Sequence, residues 1–365
     1  MKNNTQNKII FITGSMGKGG AERVISILSK HYDKKGWSVS IIMLLHNKIE
    51  YRLPSHVNVV NLSEKNGIKR DFIKVIKNTR NYIAKQKPDV IVAFMAQNIL
   101  LAHFAIKKMN IPFIVSERID PAEVKRNIIF KYLLNKIYKT ASVVIFQTKR
   151  AQSYFNKAIQ GNSCVIGNPI SISCQKNKTS KHKIVSVGRM TKQKNQKMLI
   201  SVFKRIHDRH PNYELVIYGE GPLREELHAK IKELNLDNCV SLPGISNNIH
   251  EDIADAEIFV LPSNYEGLSN ALMEAMLMGL PSISTNCAGS DEIIDNYKNG
   301  LLVPIGDENE MFNAIEKLIN DKNLRKIISK NAIKSMERYK EENIAEMWDN
   351  IINTILLNGV SSEAK

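Results

Sequence analysis

The sequence predicts an α/β protein made of two doubly wound domains in tandem, and three observations lead to this prediction. The chain has 365 residues, of which 43% are hydrophobic and 24% charged, enough for two globular domains of roughly 150 residues each. Short apolar runs alternate with helical patterns, as in parallel sheets covered by helices on both faces. One polar run interrupts this alternation, which then starts again.

The first predicted domain covers residues 1–170. Its apolar runs predict strands at 8–13, 37–45, 57–62, 89–94, 112–116 and 142–148, and helical patterns include 21–31, 68–80 and 123–139. The polar run 171–183 lacks apolar periodicity and is predicted to be a linker.

The second predicted domain covers residues 184–340. We expect strands at 183–189, 213–219, 240–244, 257–263 and 281–285, and helices at 195–209, 222–234, 269–278 and beyond 307. The segment 341–358 has the pattern of an amphipathic helix. Because open α/β sheets bind ligands outside the carboxyl ends of their strands, we expect the site in the cleft between the two domains.

Composition excludes several classes of protein. The four cysteines are far apart and form no C-x-x-C pair, so neither a disulfide framework nor a zinc ribbon is encoded, and a reducing cytoplasm is the expected compartment. No apolar stretch approaches the roughly 20 residues of a spanning helix, and no signal-peptide core follows the first residues. We therefore do not expect an integral membrane protein.

The net charge of +16 is confined to the first half of the chain. Residues 1–170 contain 28 Lys and Arg against 9 Asp and Glu, a balance of +19, whereas residues 171–365 have a balance of −3. Such asymmetry predicts that the first half faces a polyanion, with nucleic acid, an anionic membrane surface and a phosphorylated substrate as candidates. Solubility alone is the other interpretation.

Two short motifs are candidates for phosphate binding. The loop G-S-M-G-K-G-G (14–20) lies between a strand and a helix, where backbone amides approach an anion closely. It matches neither the dinucleotide fingerprint nor the P-loop, and an ordinary turn explains it equally well. In V-G-R-M-T-K-Q-K-N (187–195), Arg189 and Lys194 follow a strand end and suit a diphosphate, although solvated side chains on a loop fit too.

The most specific stretch is S-N-Y-E-G-L-S-N-A-L-M-E-A-M-L-M-G-L-P (263–281). Glu266 precedes a loop, and Glu274 lies inside the helix that follows this loop. The free amides of the helix N-terminus suit an anion, and the two carboxylates suit hydroxyl groups of a sugar or ribose. Because the helix is largely apolar it is expected to be buried, and a buried Glu274 needs a partner.

Together, these motifs, with Y-G-E-G-P (218–222) and G-G-A-E (19–22), resemble the retaining, nucleotide-sugar-dependent glycosyltransferases of family 4. The resemblance covers nearly the whole chain. It implies the GT-B fold, with two Rossmann-like domains facing across a cleft and a last helix that crosses back to the first domain.

The resemblance also implies roles for residues. Arg189 and Lys194 bind the donor diphosphate, Glu266 lies by the donor sugar, and Glu274 binds the ribose. The resemblance places Gly244 and Ile245 near the nucleobase and the backbone around Leu268 and Asn270 by the phosphate or sugar. The other positions implied in donor binding are Gly19 and Gly20 of the first loop, Gly219 and Gly267.

One position departs from the family pattern. Many members have a histidine after the strand that ends at Ser116, whereas this chain reads V-S-E-R-I-D-P (115–121) and has Arg118 there. We expect Arg118 to act as an electrostatic clamp on the departing phosphate or the acceptor. The neighbouring Glu117 is expected to have only a structural role.

The resulting prediction is a transferase that moves a sugar, expected to come from a UDP-sugar, to a saccharide with retention. The subset of the family with S-E-R resembles bacterial enzymes of capsule, O-antigen or exopolysaccharide assembly, which suggests a polyprenyl-diphosphate-linked acceptor. Neither a cofactor nor a metal is expected, because no two aspartates are separated by a single residue.

Two stretches of the first half, 68–80 and 123–139, mix basic and apolar positions. They predict peripheral binding to anionic lipid on the cytoplasmic face of the cell membrane. The alternatives are a non-hydrolysing nucleotide-sugar epimerase and a basic nucleic-acid-binding module. No motif specific for nucleic acid supports the second alternative.

Overall fold

The computed structural model describes residues 6–17, 19–63, 65–66, 69–122, 124–177 and 181–362. The residues up to Pro169 and those from Glu341 onward form one compact unit, and Ile170–Lys340 form a second. Within these described ranges, no helix combines the length and the hydropathy that crossing a membrane requires.

The first unit is built on a parallel sheet. Its strands are β1 (Lys8–Thr13), β2 (Ser38–Met43), β3 (Asn58–Asn61), β6 (Val90–Phe94), β7 (Phe113–Glu117), β8 (Val143–Phe146) and β9 (Ser163–Val165). Between β3 and β6 along the chain, β4 (Lys65–Asn66) and β5 (Lys69–Arg70) form a separate antiparallel pair. The spatial order is β3-β2-β1-β6-β7-β8-β9. The helices between the strands are α1 (Gly20–Lys34), α2 (Phe72–Gln86), α3 (Ala96–Ile106), α4 (Ile128–Thr140), α5 (Lys149–Ser153) and α6 (Lys157–Gly161).

The second unit repeats this organisation. Its parallel strands are β10 (Lys183–Val187), β11 (Glu214–Tyr218), β12 (Val240–Gly244), β13 (Ile258–Leu261), β14 (Ser282–Thr285) and β15 (Leu301–Val303), in the order β12-β11-β10-β13-β14-β15. Its helices are α7 (Gln196–Arg209), α8 (Arg224–Glu233), α9 (Ile249–Ile253), α10 (Asn270–Met278), α11 (Glu308–Asn320) and α12 (Lys322–Met336), followed by a 3₁₀ turn at Glu337–Tyr339.

The central strands are buried on both faces. Every residue of β6 and of β13 is buried, and β1 is buried from its second residue onward. Such strands read as continuous apolar runs rather than as an alternation, which is why their sequences revealed them. The predicted fold class, α/β with two doubly wound sheets, is confirmed by these two parallel sheets.

Two helices of the first unit begin later than the sequence pattern predicts. In α4 the side chain of Asn127 accepts a hydrogen bond from the backbone N–H of Phe130 at 2.8 Å, so this residue caps the helix. Asp71 caps α2 in the same way, through the N–H of Lys74 at 3.0 Å. Residues 124–127 are consequently not helical, and two residues of the predicted helices, Glu123 and Ile68, lie outside the described residues.

Helix α4 exposes a different face from the one expected. Within the stretch 123–139, predicted to bind lipid, Leu134 and Tyr138 are buried in the first unit, whereas Ile128, Ile129 and Tyr132 are 85%, 74% and 67% exposed. The first turn of α4 therefore presents large apolar side chains to solvent.

The stretch predicted as a linker, 171–183, is hydrogen-bonded to the second unit. The backbone N–H of Lys176 donates to the carbonyl of Met278 at 2.9 Å, and that of Asn177 donates to the carbonyl of Ala254 at 2.7 Å. Residues 178–180 lie outside the described residues, and Lys183 already belongs to β10. A polar run without periodicity thus lies along a surface that satisfies its backbone groups.

The last helix, α13 (Glu341–Ser362), belongs to the first unit. Trp348 is completely buried, and its ring stacks on Phe94 with 5.8 Å between centroids. Asp349 accepts hydrogen bonds from Lys35 and, at 2.7 Å, from His31 on α1. Burial by itself raises the pKa of Asp349, but the hydrogen bonds from Lys35 and His31 outweigh it and hold this pKa below its usual range.

We expect Trp348→Ala to destabilise the protein by about 3–5 kcal/mol, because it leaves a cavity beside Phe94. Thermal or urea unfolding measures this loss. The neighbouring residue Met347 is 41% exposed, so Met347→Ala is the matched control and should stay close to wild type. Equal losses in the two variants would contradict the described packing of α13.

Candidate active site

Three of the predicted motifs meet at one edge of the second sheet. The strands β10, β11 and β12 are neighbours, and their carboxyl ends lead into Gly188, Gly219 and Gly244. The backbone N–H of Gly188 donates to the carbonyl of Tyr218 at 2.9 Å, and that of Gly219 donates to the carbonyl of Gly244 at 2.8 Å. Ile245, predicted to lie near a nucleobase, follows Gly244 and is exposed.

Glycine is required at this edge because the strand ends approach one another closely. Gly219 has a φ of +136°, and a Cβ built on it would lie 2.1 Å from the carbonyl oxygen of Gly188. Gly244 also has a positive φ, +88°. Side chains at these positions would force the loops apart.

The loop after β10 is hydrogen-bonded to the loop after β13. The backbone N–H of Asn264 donates to the carbonyl of Gln193 at 2.8 Å, and the side chain of Gln193 donates to the carbonyl of Tyr265 at 3.0 Å. From β10 the chain continues to β11 and β12 on one side of β10, and then crosses to β13 on its other side. The topological switch point therefore lies between β10 and β13. Switch points are where doubly wound sheets bind ligands.

The two loops bring Lys194 and Glu266 into direct contact. The Lys194 ammonium donates to Oε1 of Glu266, and the hydroxyl of Ser263 donates to the same oxygen at 2.7 Å. Both side chains of the pair are largely buried. Arg189 is exposed and forms no ion pair within the part of the chain that the structure describes. Lys194 and Glu266 were expected to contact different parts of the donor, and no sequence pattern predicts that they contact each other.

Helix α10 begins at this site. Leu268 is buried, Ser269 is the N-cap residue, and Asn270 is the first residue of the helix. A Cβ on Gly289 would lie 1.5 Å from the carbonyl oxygen of Gly267, so the loop at 287–290 packs directly on the backbone that leads into α10.

Glu274 faces a histidine that the sequence analysis did not single out. Glu274 is buried within α10, as expected, and Nε2 of His250 on α9 lies 3.3 Å from its Oε2. No periodicity or motif in the sequence marks His250. His250 lies on α9, which follows β12, and Glu274 lies on α10, which follows β13.

In the first unit, the glycine-rich loop leads into α1. Gly19 is the N-cap residue and Gly20 the first helical residue; Lys18 lies outside the described residues. A Cβ on Gly19 would lie 2.2 Å from the carboxylate of Glu22, which folds back over the loop. Burial raises the pKa of Glu22, partly offset by its backbone hydrogen bond.

Arg118, expected to act as a clamp on the departing phosphate or the acceptor, lies inside the first unit. Its guanidinium is buried, 5.7 Å from the ring centroids of both Phe94 and Trp348, and burial lowers its pKa to about 9. Nε donates to the hydroxyl of Ser116 at 2.9 Å and Nη1 to the carbonyl of Ile166 at 2.8 Å. Through these contacts Arg118 connects two segments in the interior of the first unit.

A cavity of about 680 Å³ opens beside the carboxyl ends of β1, β2 and β3 in the first unit. It is lined by Ser15, Leu45, His46, Asn47, Lys48 and Ser63. Polar side chains at strand ends suit a hydroxyl-rich ligand. Across the described residues, no three His, Cys, Asp or Glu side chains are grouped as a metal site.

Comparison with known proteins gives matches over both units. Residues 18–173 match the family model Glycosyltransferase Family 4, and residues 171–335 match the model Glycosyl transferases group 1. The chain is 30% identical to a Campylobacter jejuni protein named N-acetylgalactosamine-N,N'-diacetylbacillosaminyl-diphospho-undecaprenol 4-alpha-N-acetylgalactosaminyltransferase, over 91% of this chain and 95% of that protein. It is 28% identical to the amylovoran biosynthesis glycosyltransferase AmsD of Erwinia amylovora, over 94% and 99%.

Solved structures have the same fold. Anabaena Alr3699/HepE, described as a complex with UDP, aligns with a TM-score of 0.83 at 19% identity and covers 96% of this chain and all of that one. TarM aligns with a TM-score of 0.78 at 15% identity, over 97% of this chain and all of that one. At these identities the likeness concerns the fold, and the predicted GT-B class is confirmed.

We expect Gly289→Ala to displace the loop at 267–268 and to lower both stability and activity. Overpacking of this kind costs about 1–3 kcal/mol, and the atom it meets is backbone, which cannot rotate away. Thermal unfolding and a transferase assay measure the two effects. Gly161 has no atom within 4 Å of a built Cβ, so Gly161→Ala is the control; an unaffected Gly289→Ala would contradict the described packing.

Proposed function

The chain belongs to glycosyltransferase family 4, and from this premise we propose a retaining transfer of a sugar from a UDP-sugar to a saccharide hydroxyl. The acceptor is linked to polyprenyl diphosphate, and the reaction serves bacterial surface polysaccharide synthesis. Membership of the family favours transfer over epimerisation and over nucleic-acid binding. The observation on which the proposal rests most is the contact of Lys194 with Glu266 at the switch point of the second sheet.

The leaving diphosphate gains negative charge when its bond to the sugar breaks. Arg189, exposed at the end of β10, and Lys194 supply positive charge at the same edge, and the free amides of the first turn of α10 add partial positive charge. Groups already fixed in place stabilise such a transition state without reorganisation. We propose that these cations take the place of a divalent metal.

The rest of the nucleotide is assigned by position along the same edge. Glu274 accepts hydrogen bonds from ribose hydroxyls, and Gly244 with the exposed Ile245 lies along the base. A uracil base is supported by the HepE structure, described as a complex with UDP, and by the fold that it shares with this chain.

Glu266 stabilises positive charge on the donor sugar in this proposal rather than attacking it. Its Oε1 already accepts hydrogen bonds from Lys194 and Ser263. A carboxylate engaged in this way is a weak nucleophile, but it still favours an oxocarbenium-like sugar next to it.

The acceptor proposal rests on the relatives and on the first unit. The names of two Campylobacter jejuni relatives include a diphospho- or PP-undecaprenol, and that of the Erwinia amylovora relative refers to amylovoran biosynthesis. In the cavity of the first unit, the polar side chains of Ser15, His46 and Lys48 suit the hydroxyl groups of a saccharide.

We further propose that the first unit binds the inner face of the cell membrane through the first turn of α4. Ile128, Ile129 and Tyr132 are exposed there, and the exposed Lys131 and Lys136 follow on the same helix. Apolar side chains that enter the interface beside lysines that meet lipid phosphates are typical of peripheral binding. Arg126 is not among these cations, because it is paired with the buried Glu117 at 2.9 Å.

We expect Arg189→Ala and Lys194→Ala each to lower kcat/KM about 100-fold, because each removes charge stabilisation of the leaving diphosphate. The assay measures sugar transfer from a panel of nucleotide sugars to a synthetic polyprenyl-diphosphate saccharide, with and without a chelator. Lys197 lies on α7 with its ammonium 2.7 Å from the Glu226 carboxylate, so Lys197→Ala should remain near wild type.

Three results of this assay would each contradict part of the proposal. Wild-type rates in both variants would remove Arg189 and Lys194 from the diphosphate site. Inactivation by the chelator with rescue by manganese or magnesium would overturn metal-independent transfer. Turnover of a nucleotide sugar without an acceptor, giving its epimer, would favour the epimerase.

We expect the triple variant Ile128→Ser, Ile129→Ser, Tyr132→Ser to bind anionic vesicles at least about tenfold more weakly than wild type, since each large apolar side chain contributes about 1.5–3 kcal/mol when buried. Co-sedimentation with anionic and with neutral vesicles measures binding. Ile327, 54% exposed on α12, provides the control variant Ile327→Ser. Equal pelleting of wild type with both kinds of vesicle would contradict membrane binding.

A further inference from the structure

His250 connects two segments of the second unit that are distant in sequence. Its Nδ1 accepts a hydrogen bond from the backbone N–H of Ser173 at 3.2 Å, on the stretch that leads into β10. On the other side of the ring, Nε2 lies 3.3 Å from Oε2 of Glu274. This second separation is that of an electrostatic contact, and the N–H is not aligned as a full hydrogen bond.

The contact with Ser173 determines which ring nitrogen carries the hydrogen. A backbone N–H only donates, so Nδ1 has to be the acceptor nitrogen of the ring. The hydrogen of the imidazole is then on Nε2, which faces the carboxylate of Glu274. Ser173 thus orients His250 as a donor toward Glu274.

We infer that His250 is a positioning residue for Glu274 and thereby sets how tightly the site holds the ribose of the donor. The inference rests on the proposed function, in which Glu274 binds that ribose. Glu274 is in a largely apolar helix, where a carboxylate that is not oriented loses hydrogen-bond energy. His250 fixes one oxygen of the carboxylate, so that its orientation is already set when ribose hydroxyls donate to it.

Two substitutions separate the two contacts of the ring. In His250→Asn, the amide oxygen occupies the place of Nδ1 and keeps the contact with Ser173, but no donor reaches Glu274. In His250→Gln, the amide nitrogen reaches the place of Nε2 and keeps a donor for Glu274. His250→Ala removes both contacts.

Binding of UDP and of 2′,3′-dideoxy-UDP, measured by calorimetry, reads out the ribose contact without catalysis. We expect His250→Asn and His250→Ala to bind UDP about tenfold more weakly, because the contact that orients the Glu274 carboxylate is lost, and His250→Gln to stay within about threefold of wild type. The preference for UDP over the dideoxy compound should fall toward one in the first two variants and in Glu274→Ala. In turnover, KM should rise with kcat nearly unchanged.

A second histidine–glutamate contact provides the matched control. His182 lies 3.3 Å from Glu257, but it precedes β10 and is at the amino end of the sheet, away from the site. His182→Asn should leave both affinities unchanged.

The opposite pattern would overturn the inference. If His250→Asn binds UDP like wild type while His250→Gln does not, the residue anchors α9 to Ser173 and does not position Glu274. Equal weakening of UDP and dideoxy-UDP would indicate a general structural role. If wild type binds no UDP, the proposed UDP-sugar donor is wrong. The same comparison with GDP and 2′,3′-dideoxy-GDP, which differ from each other only in the ribose hydroxyls, then decides the role of His250. If wild type binds neither UDP nor GDP, both the proposed donor site and the role of His250 are overturned.

Discussion

The ion pair between Lys194 and Glu266 is the interaction on which the arrangement of the candidate site depends. These residues follow β10 and β13, the two strands that flank the switch point of the second sheet. Charges with so little exposure are stable only where they compensate one another, and the hydroxyl of Ser263 adds a further hydrogen bond to the same carboxylate. Removing one partner would leave an uncompensated charge, so the pair fixes both loops together. A negatively charged ligand at this edge would then compete with Glu266 for the ammonium of Lys194. Binding of such a ligand would therefore change the hydrogen bonds of the Glu266 carboxylate.

Close contacts between backbone atoms also hold the loops of the candidate site in place. Gly219 against Gly188 and Gly289 against Gly267 bring main chains so near that no side chain fits between them. In each pair, one loop sets the position of another by contact between backbone atoms, which do not rotate as side chains do. The carboxyl edge of the sheet and the start of α10 are thereby held at fixed positions, which electrostatic stabilisation of a transition state requires.

The sequence was informative where a local pattern determines the structure. Buried parallel strands such as β6 and β13 are continuous apolar runs, and the motif that contains Glu266 and Glu274 identified the loop and the helix in the right order. Interactions between distant segments were not predictable in this way. The burial of Arg118 between Phe94 and Trp348 depends on a helix more than 200 residues further on, and the contact of His250 with Glu274 depends on two loop conformations that no periodicity encodes. Helix starts were misplaced where a single cap residue, Asn127 or Asp71, decides them.

In the basic first half of the chain, the arginines Arg118 and Arg126 and the lysines of α4 lie in different environments. Arg118 and Arg126 both donate to partners inside the first unit, Arg126 to a carboxylate, that of Glu117, which also accepts a hydrogen bond from Tyr138 at 2.8 Å. The planar fork of arginine suits such buried, directional contacts. Lysines such as Lys131 and Lys136 remain exposed on α4 as hydrated point charges that adapt to many anions. Arg126 immediately precedes Asn127, the cap residue of α4, so its buried ion pair with Glu117 lies next to the start of this helix, where Ile128 and Ile129 meet solvent. The basic residues of the first unit are thus in two environments: Arg118 and Arg126 bind partners in its interior, whereas Lys131 and Lys136 are exposed on the helix that begins with Ile128 and Ile129.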